Sequence, residues 1–167
     1  LINEGETKMK YNFTSGAELL EKCKELNMTI HELCVEREAE LTGISKEEVR
    51  DKMRVSLNIM KEAVEKAVQE DIKSMGGLIG GEAKEYGIDD ETMIDALFTA
   101  SAIGAIITRN ATVSGAEGGC QAETGAAAAM ASAGVVEMMG GSPEQAVHAA
   151  SHCLQNVMGL VCDPIAG

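Results

Sequence analysis

The sequence has few aromatic residues and few positive charges, and each shortage excludes a class of protein. Aromatic residues make up 2% of the 167 residues and Trp is absent, so there is little with which to stack nucleic-acid bases. Lys and Arg number 14 against 27 Asp and Glu, a net charge of −13. Such an acidic chain does not hold a phosphate backbone through diffuse charge. We therefore expect no nucleic-acid partner.

The sequence also lacks a long uncharged apolar run. The longest run of small apolar residues, Thr124 to Val136, lies between Glu123 and Glu137 and is too short to span a bilayer. The first ten residues are polar, unlike a signal peptide. The five cysteines include no C-x-x-C pair, and an odd number without a secretion signal is typical of reduced thiols in a cytoplasm. We expect a cytoplasmic protein with no membrane-spanning segment.

The amino-acid composition and the helix-start motifs favour helices. Hydrophobic residues (45%) and charged residues (25%) suit one globular domain. Ten Met and many Ala, with few β-branched residues, favour helix over sheet. Four pairs have the spacing of a capping box, in which a Ser or Thr and a Glu or Gln three residues later satisfy backbone amides at a helix start. They are Ser15/Glu18, Thr29/Glu32, Ser45/Glu48 and Ser142/Gln145.

Apolar residues recur at helical spacing after each of the first three boxes. The predicted faces are Leu19, Leu20, Cys23 and Leu26 in the first helix; Ile30, Leu33, Cys34 and Leu41 in the second; and Val49, Met53, Leu57, Met60, Val64, Val68 and Ile72 in a third helix from Ser45 to about Lys73. Asp89 or Asp90 begins a fourth helix, a helix of small residues covers Gln121 to Met139, and the last runs from Ser142 to about Asn156.

Two glycine-rich segments interrupt the helices, Met75 to Ala83 and Ser114 to Cys120. Clustered glycines disfavour helix and allow backbone to approach a ligand closely. The fold prediction is therefore an all-α single domain of about six helices with glycine-rich loops.

The cysteines divide into two groups. Cys23, Cys34 and Cys153 lie on apolar helix faces and are expected to be packed as small hydrophobic residues. Cys120 follows two glycines and precedes a helix, whose amino end favours a thiolate, and Cys162 precedes Asp163 and Pro164. Their separation of 42 positions matches no diagnostic metal spacing.

Other polar residues leave alternatives open. His148 and His152 are four apart on one helix, which is a metal-ligand spacing, although a solvated pair is the simpler interpretation. Ser114 and Glu117 could form another capping box or could bind a substrate. The acidic residues Glu36, Glu38 and Glu40 are most simply a solvated helix face.

Three segments together resemble the catalytic alpha part of iron–sulfur-dependent L-serine dehydratases, which are bacterial L-serine ammonia-lyases. The segments are Ser114-Gly-Ala-Glu-Gly-Gly-Cys-Gln-Ala-Glu123, Gly140-Gly-Ser-Pro143 and Gly159-Leu-Val-Cys-Asp-Pro164, and the loop from Leu78 to Ala83 matches a further family element. The resemblance covers nearly the whole chain.

The resemblance implies a [4Fe–4S] cluster, with Cys120 and Cys162 as two of its three cysteine ligands. The third family cysteine would lie roughly ten residues past Cys162, beyond Gly167, and a family segment between the Gly-Gly loop and the helix at Asp89 has no counterpart. We therefore expect a further segment between Lys84 and Glu85 and a continuation past Gly167. The domain prediction is one helical catalytic domain over residues 1–167.

The resemblance also implies the reaction and its setting. L-serine would be dehydrated and deaminated to pyruvate and ammonia, with one open iron as the Lewis acid, in amino-acid catabolism and gluconeogenesis. Ser114, Glu117 and Asn156 are the catalytic candidates, and Gly115, Gln121, Gly80 and Gly81 are the substrate-binding candidates. A beta chain or domain and an oligomer are the expected partners, and the general base is not evident.

Three alternatives remain at this point. A cysteine desulfidase would use the same kind of cluster domain to eliminate sulfide. A helical interaction module would bind no cluster, with Cys120 and Cys162 merely packed. A metal-binding scaffold would use His148 and His152.

Overall fold

The computed structural model of the chain describes residues 9–69 and 86–160. All regular structure in this part of the chain is helical, which confirms the all-α prediction. The segments outside it contain Gly80, Gly81, Cys162 and the expected break at Lys84–Glu85. The described residues form six long helices and one single turn: α1 (Gly16–Leu26), α2 (Ile30–Thr42), α3 (Lys46–Gln69), α4 (Asp90–Asn110), the turn α5 (Gly115–Gly118), α6 (Cys120–Met138) and α7 (Pro143–Val157).

The predicted capping residues begin the helices. The Thr29/Glu32 and Ser142/Gln145 boxes are complete, and at Ser45/Glu48 both reciprocal bonds form as well. The first box is only half formed. Ser15 accepts from the Glu18 amide, but the Glu18 carboxylate accepts from the Thr14 amide at 2.7 Å instead. Asp89, not Asp90, caps α4 by accepting from the Thr92 amide.

α4 is the central helix. It packs against α2, α3 and α6, while α7 packs against α6 and α1, and α1 also contacts α2. Its buried side chains meet those of α1 and α2 in one core, of which the most deeply buried large members are Leu19, Ile30, Leu33, Ile94 and Thr99.

Two of the predicted apolar faces each include one residue that is exposed, so the prediction is wrong at these positions. Leu41, near the end of α2, is 39% exposed, and Met60 on α3 is 49% exposed. Helical spacing identifies a candidate apolar face, and tertiary packing decides which of its positions are covered. Among the described side chains of the predicted α3 stripe, Val49 and Leu57 are fully buried and Met53 packs beside them. Val55 and Ile59, outside the stripe, face outward. The side chains of Val64, Val68 and Ile72 lie outside the described part of the chain.

α3 and α4 run antiparallel and are joined by ion pairs. Arg50 contacts Asp95 at 2.7 Å and Glu91 at 2.8 Å, and Lys61 contacts Asp90 at 2.5 Å. Because exposed pairs of this kind contribute about 0–1 kcal/mol each, they fix the register of the helices more than they stabilise the fold.

α4 bears on the expectation that no segment spans a membrane. By length and composition alone, Asp90–Asn110 is apolar enough to cross a membrane, and half of its most apolar window is buried within the bundle. Core helices of soluble proteins pass the same test, so this is weak evidence for a membrane segment.

Small residues allow α4 and α6 to approach closely. The buried positions of α6 are Gly125, Ala126, Ala129, Ala133 and Gly134. A β-carbon added at Gly134 would lie 3.2 Å from the carbonyl oxygen of Ala96, a backbone atom that has little freedom to move. The contact between the two helices therefore depends on glycine at this position.

A polar cluster joins α2, α4 and α6 near the carboxyl end of α6. His31 Nδ1 lies 2.7 Å from Glu137 Oε1, and His31 Nε2 lies 3.7 Å from Asp95 Oδ2. The fully buried Thr99 donates to the other Glu137 oxygen at 2.9 Å. Burial of the imidazole opposes its protonation, but the hydrogen bond to Glu137 and the charges of Asp95, Glu137 and Glu32 outweigh it and raise the pKa of His31.

We expect Gly134→Val to destabilise the protein by about 1–3 kcal/mol, because overpacking forces a backbone shift. Ala127→Val, on the exposed side of the same helix, is the matched control and should change stability by no more than about 0.5 kcal/mol. Urea unfolding followed by circular dichroism measures both. Equal losses in the two variants would show that the contact is not tight.

The raised pKa of His31 predicts a pH-dependent stability. A histidine whose pKa is higher in the folded state stabilises the fold fully below its unfolded pKa of about 6.5. This contribution is then lost as the pH rises through the folded pKa. Melting temperatures measured between about pH 5.5 and 9 should fall for the native chain relative to His31→Gln as the pH rises. Parallel curves for the two proteins would contradict the assignment.

Candidate functional site

The candidate site lies at the amino end of α6. α4 ends at Asn110, and a short connection leads through the single turn α5 into α6. Gly119 joins the two with a φ of +79°, a left-handed conformation in which a side chain would be strained. Cys120 is therefore the first residue of α6, one position earlier than the sequence predicted.

The thiol of Cys120 is exposed and is not in a disulfide. The amino end of a helix carries partial positive charge and unpaired amides, which favour an anionic ligand such as a thiolate. A β-carbon at the preceding Gly119 would meet no atom within 4 Å, so the backbone just before Cys120 is uncrowded.

The other predicted thiols differ from Cys120 in the way the sequence indicated. Cys23 and Cys34 are 4% and 5% exposed. Burial raises the pKa of Cys23 to about 11 and that of Cys34 to about 12. Cys153 is half-buried on α7 and packs against the core. The packing predictions for Cys23 and Cys34 are confirmed, and that for Cys153 is confirmed in part.

Ser114 and Glu117 do not form a capping box, so this alternative is wrong. The Ser114 side chain accepts no hydrogen bond from the α5 turn. Glu117 instead accepts from the hydroxyl of Thr112 at 2.7 Å, and the Thr112 oxygen accepts from the Ser114 amide at 3.0 Å. Thr112 was not among the residues singled out from the sequence.

α7 ends beside the first turns of α6. A β-carbon added at Gly125 would lie 3.1 Å from Val157 Cγ2 and 3.8 Å from Leu154 Cδ2. The two helices are antiparallel neighbours, so the end of α7 lies at the same end of the bundle as Cys120. Asn156 is exposed there, and its amide donates to the His152 carbonyl of its own helix at 2.8 Å.

The structure therefore describes some of the predicted site residues and not others. Ser114, Gly115, Glu117, Cys120 and Gln121 share the amino end of α6, and Asn156 lies at the adjoining end of α7. Gly80, Gly81 and Cys162 lie outside the described residues. Within residues 9–69 and 86–160, no three His, Cys, Asp or Glu side chains are grouped to hold a metal ion. His148 and His152 are both exposed.

Comparison with known proteins gives a consistent result. The family profile described as "Serine dehydratase alpha chain" matches residues 82–167. The "Probable L-serine dehydratase, alpha chain" of Bacillus subtilis is 32% identical over 213 residues, which cover 93% of this chain and 71% of the relative. The "L-serine dehydratase, alpha chain" of Peptoniphilus asaccharolyticus is 53% identical over 93 residues, covering 56% of this chain and 32% of the relative.

The chain corresponds to only part of several relatives. "L-serine dehydratase 1" of Escherichia coli is 54% identical over 68 residues, 41% of this chain but 15% of that protein. The chain therefore spans well under half of the Peptoniphilus and Escherichia relatives. Its alignment with the Bacillus protein is longer than the chain itself, so tens of positions of that protein have no counterpart here. No solved structure matches the chain.

The burial of the cysteines predicts their order of reaction. At pH 8 in the folded protein, iodoacetamide should modify Cys120 rapidly and leave Cys23 and Cys34 unmodified, because their thiols are buried and protonated. Peptide mass spectrometry after timed labelling measures this. Unfolding in denaturant should make all three react, which serves as the control. Early labelling of Cys34 would contradict the core described above.

Proposed function

The chain belongs to the serine dehydratase alpha-chain family, and we propose that it acts on L-serine, releasing pyruvate and ammonia. The family is one of lyases. The observation that carries the proposal is the exposed Cys120 thiol at the amino end of α6, inside the part of the chain that matches the family profile.

We infer that the cofactor is a [4Fe–4S] cluster, and the one implied ligand among the described residues, Cys120, supports this by its exposure. Cys120 offers an exposed thiol after an uncrowded glycine. Cys162 follows Val157 by five residues, and five residues span at most about 18 Å. Because α7 ends next to the first turns of α6, this reach allows Cys162 to approach Cys120. When bound, a cluster with three cysteine ligands supplies one iron that acts as a Lewis acid toward the substrate.

The roles of the other residues follow from their positions. Ser114 precedes the α5 turn and Gln121 follows Cys120, and both are proposed to hydrogen-bond the substrate. Gly115 is proposed to contact the substrate through its backbone. Glu117 and Asn156 remain catalytic candidates, but each already has a partner, Thr112 and His152 respectively. Gly80 and Gly81 stay proposed substrate contacts from the sequence.

The relatives' names also favour a second chain. Three relatives are named as alpha chains, whereas the name of the Mycobacterium tuberculosis relative, "L-serine dehydratase", specifies no chain, and the match covers 18% of it. We propose that this alpha chain works with a beta chain. The base that removes the α-proton is assigned to no described residue.

The proposal is tested on the complete alpha chain with its beta chain, reconstituted with iron and sulfide without air. We expect about four iron and four sulfide per alpha chain, and pyruvate from L-serine in preference to sulfide from L-cysteine. Cys120→Ser should lose both the iron and the turnover, because oxygen replaces a thiolate ligand.

Cys153→Ala is the matched control, since this half-buried thiol packs against the core, and it should keep iron and activity. Full activity in Cys120→Ser would support a helical interaction module with no cluster at this site. Faster release of sulfide from L-cysteine would support the desulfidase. Loss of bound iron in a His148→Ala/His152→Ala double variant, with Cys120 intact, would support the histidine scaffold.

A further inference from the structure

Thr112 joins both ends of the turn that precedes Cys120. Its half-buried side chain lies between the end of α4 and the turn α5. The oxygen accepts from the Ser114 amide at 3.0 Å and donates its proton to Glu117 Oε2 at 2.7 Å. One hydroxyl therefore holds both the backbone of Ser114, just before the turn, and the side chain of Glu117, within it. A hydrogen bond to a carboxylate is stronger than one between neutral groups.

The methyl group of Thr112 has a separate contact. Its Cγ2 lies 2.8 Å from the place that a β-carbon on Gly118 would take. On the other side of the turn, Oε2 of Glu123 lies 2.6 Å from the corresponding place at Gly115. The turn is thus held between Thr112 and the first turn of α6, and only glycine fits at these two positions without a shift.

This arrangement determines where α6 begins. The amides of Gly118 and Gly119 donate to Ser114 and Gly115 at 2.9 and 3.0 Å. Gly119 then adopts a φ of +79°, and Cys120 follows as the first helical residue. A displacement of α5 would therefore be passed directly to the Cys120 thiol, since a single residue separates them.

We propose that Thr112 is a positioning residue for Cys120, acting through Glu117 and the α5 turn. The proposal rests on the proposed function only in making Cys120 a cluster ligand. The position of the thiol at the helix end is a property of the chain alone. In this account Glu117 holds the turn through its bond to Thr112.

The test compares Thr112→Val, which keeps the shape and loses the hydroxyl, with Thr112→Ser, which keeps the hydroxyl and loses the methyl. In the complete, metal-free chain, the rate of Cys120 alkylation by iodoacetamide is measured from about pH 6 to 9 by peptide mass spectrometry. Without the hydrogen bonds of the Thr112 hydroxyl, we expect the first turn of α6 to fray. The Cys120 thiolate then loses the stabilising partial charge of the helix amino end. The rate at neutral pH should then fall about two- to fivefold in Thr112→Val, with the midpoint moved to higher pH. Thr112→Ser should stay near the native rate.

Thr108→Val is the matched control, because Thr108 is exposed on the last turn of α4, and it should react like the native chain. A second variant tests the route. If Thr112 acts through Glu117, Glu117→Ala should slow alkylation by a similar factor, and the double variant should be no slower than either single one. Additive effects would overturn the proposed route.

Iron content and the visible absorption spectrum after anaerobic reconstitution give the second readout, with iron expected to fall in Thr112→Val and to be retained in Thr112→Ser. Native rates and native iron in Thr112→Val would overturn the proposal. If the native chain binds no iron while Thr112→Val still slows alkylation, the proposed function fails and the positioning role stands. If Thr112→Val does not fold, as judged by circular dichroism, the Glu117→Ala and Thr112→Ser rates decide the question.

Discussion

The close contact between α4 and α6 is the constraint on which the rest of the structure depends. The fully buried positions of α6 are all glycine or alanine, so the backbones of the two helices lie near each other. The partly buried Met130 fills the space beside Gly104. With so few aromatic residues, the chain has little large side-chain volume for its core, and close backbone approach takes its place. The site follows from this contact, because α6 is held against α4 along its length and begins where the chain turns back from the end of α4.

The two ends of α6 carry different chemistry. At its carboxyl end, Glu137 joins His31 and Thr99 in a partly buried cluster in which every carboxylate oxygen has a partner. At its amino end, about 25 Å away for 17 residues of helix, Cys120 is exposed beside a glycine turn. The satisfied network stabilises the packing of α2, α4 and α6. The exposed end keeps a thiol accessible, and several large apolar side chains there, including Val113, Met158 and Leu160, remain uncovered.

Local signals in the sequence predict the helices well, because a cap and an apolar stripe act within a few residues. The starts at Thr29, Ser45, Asp89 and Ser142 needed no tertiary information. The errors arise where tertiary contacts decide. Leu41 and Met60 continue the apolar spacing of their helices but remain exposed, and the Glu18 carboxylate accepts from the Thr14 amide instead of closing its box. The spacing of Ser114 and Glu117 fits a capping box equally well, yet Thr112 takes the carboxylate.

The candidate site shows the same limit more sharply. The resemblance of whole motifs selected Cys120, and neither its spacing from Cys162 nor the composition did so. What separates Cys120 from Cys23 and Cys34 is burial, which raises the pKa of the core thiols and keeps them from acting as ligands. Thr112 carried no signal in the sequence, because a threonine two residues before a Ser-Gly turn is ordinary. Its importance arises from two hydrogen bonds and one methyl contact that exist only once α5 has folded against α6. A residue that positions a ligand without touching it is therefore found from the structure, since its chemistry is unremarkable and only its contacts distinguish it.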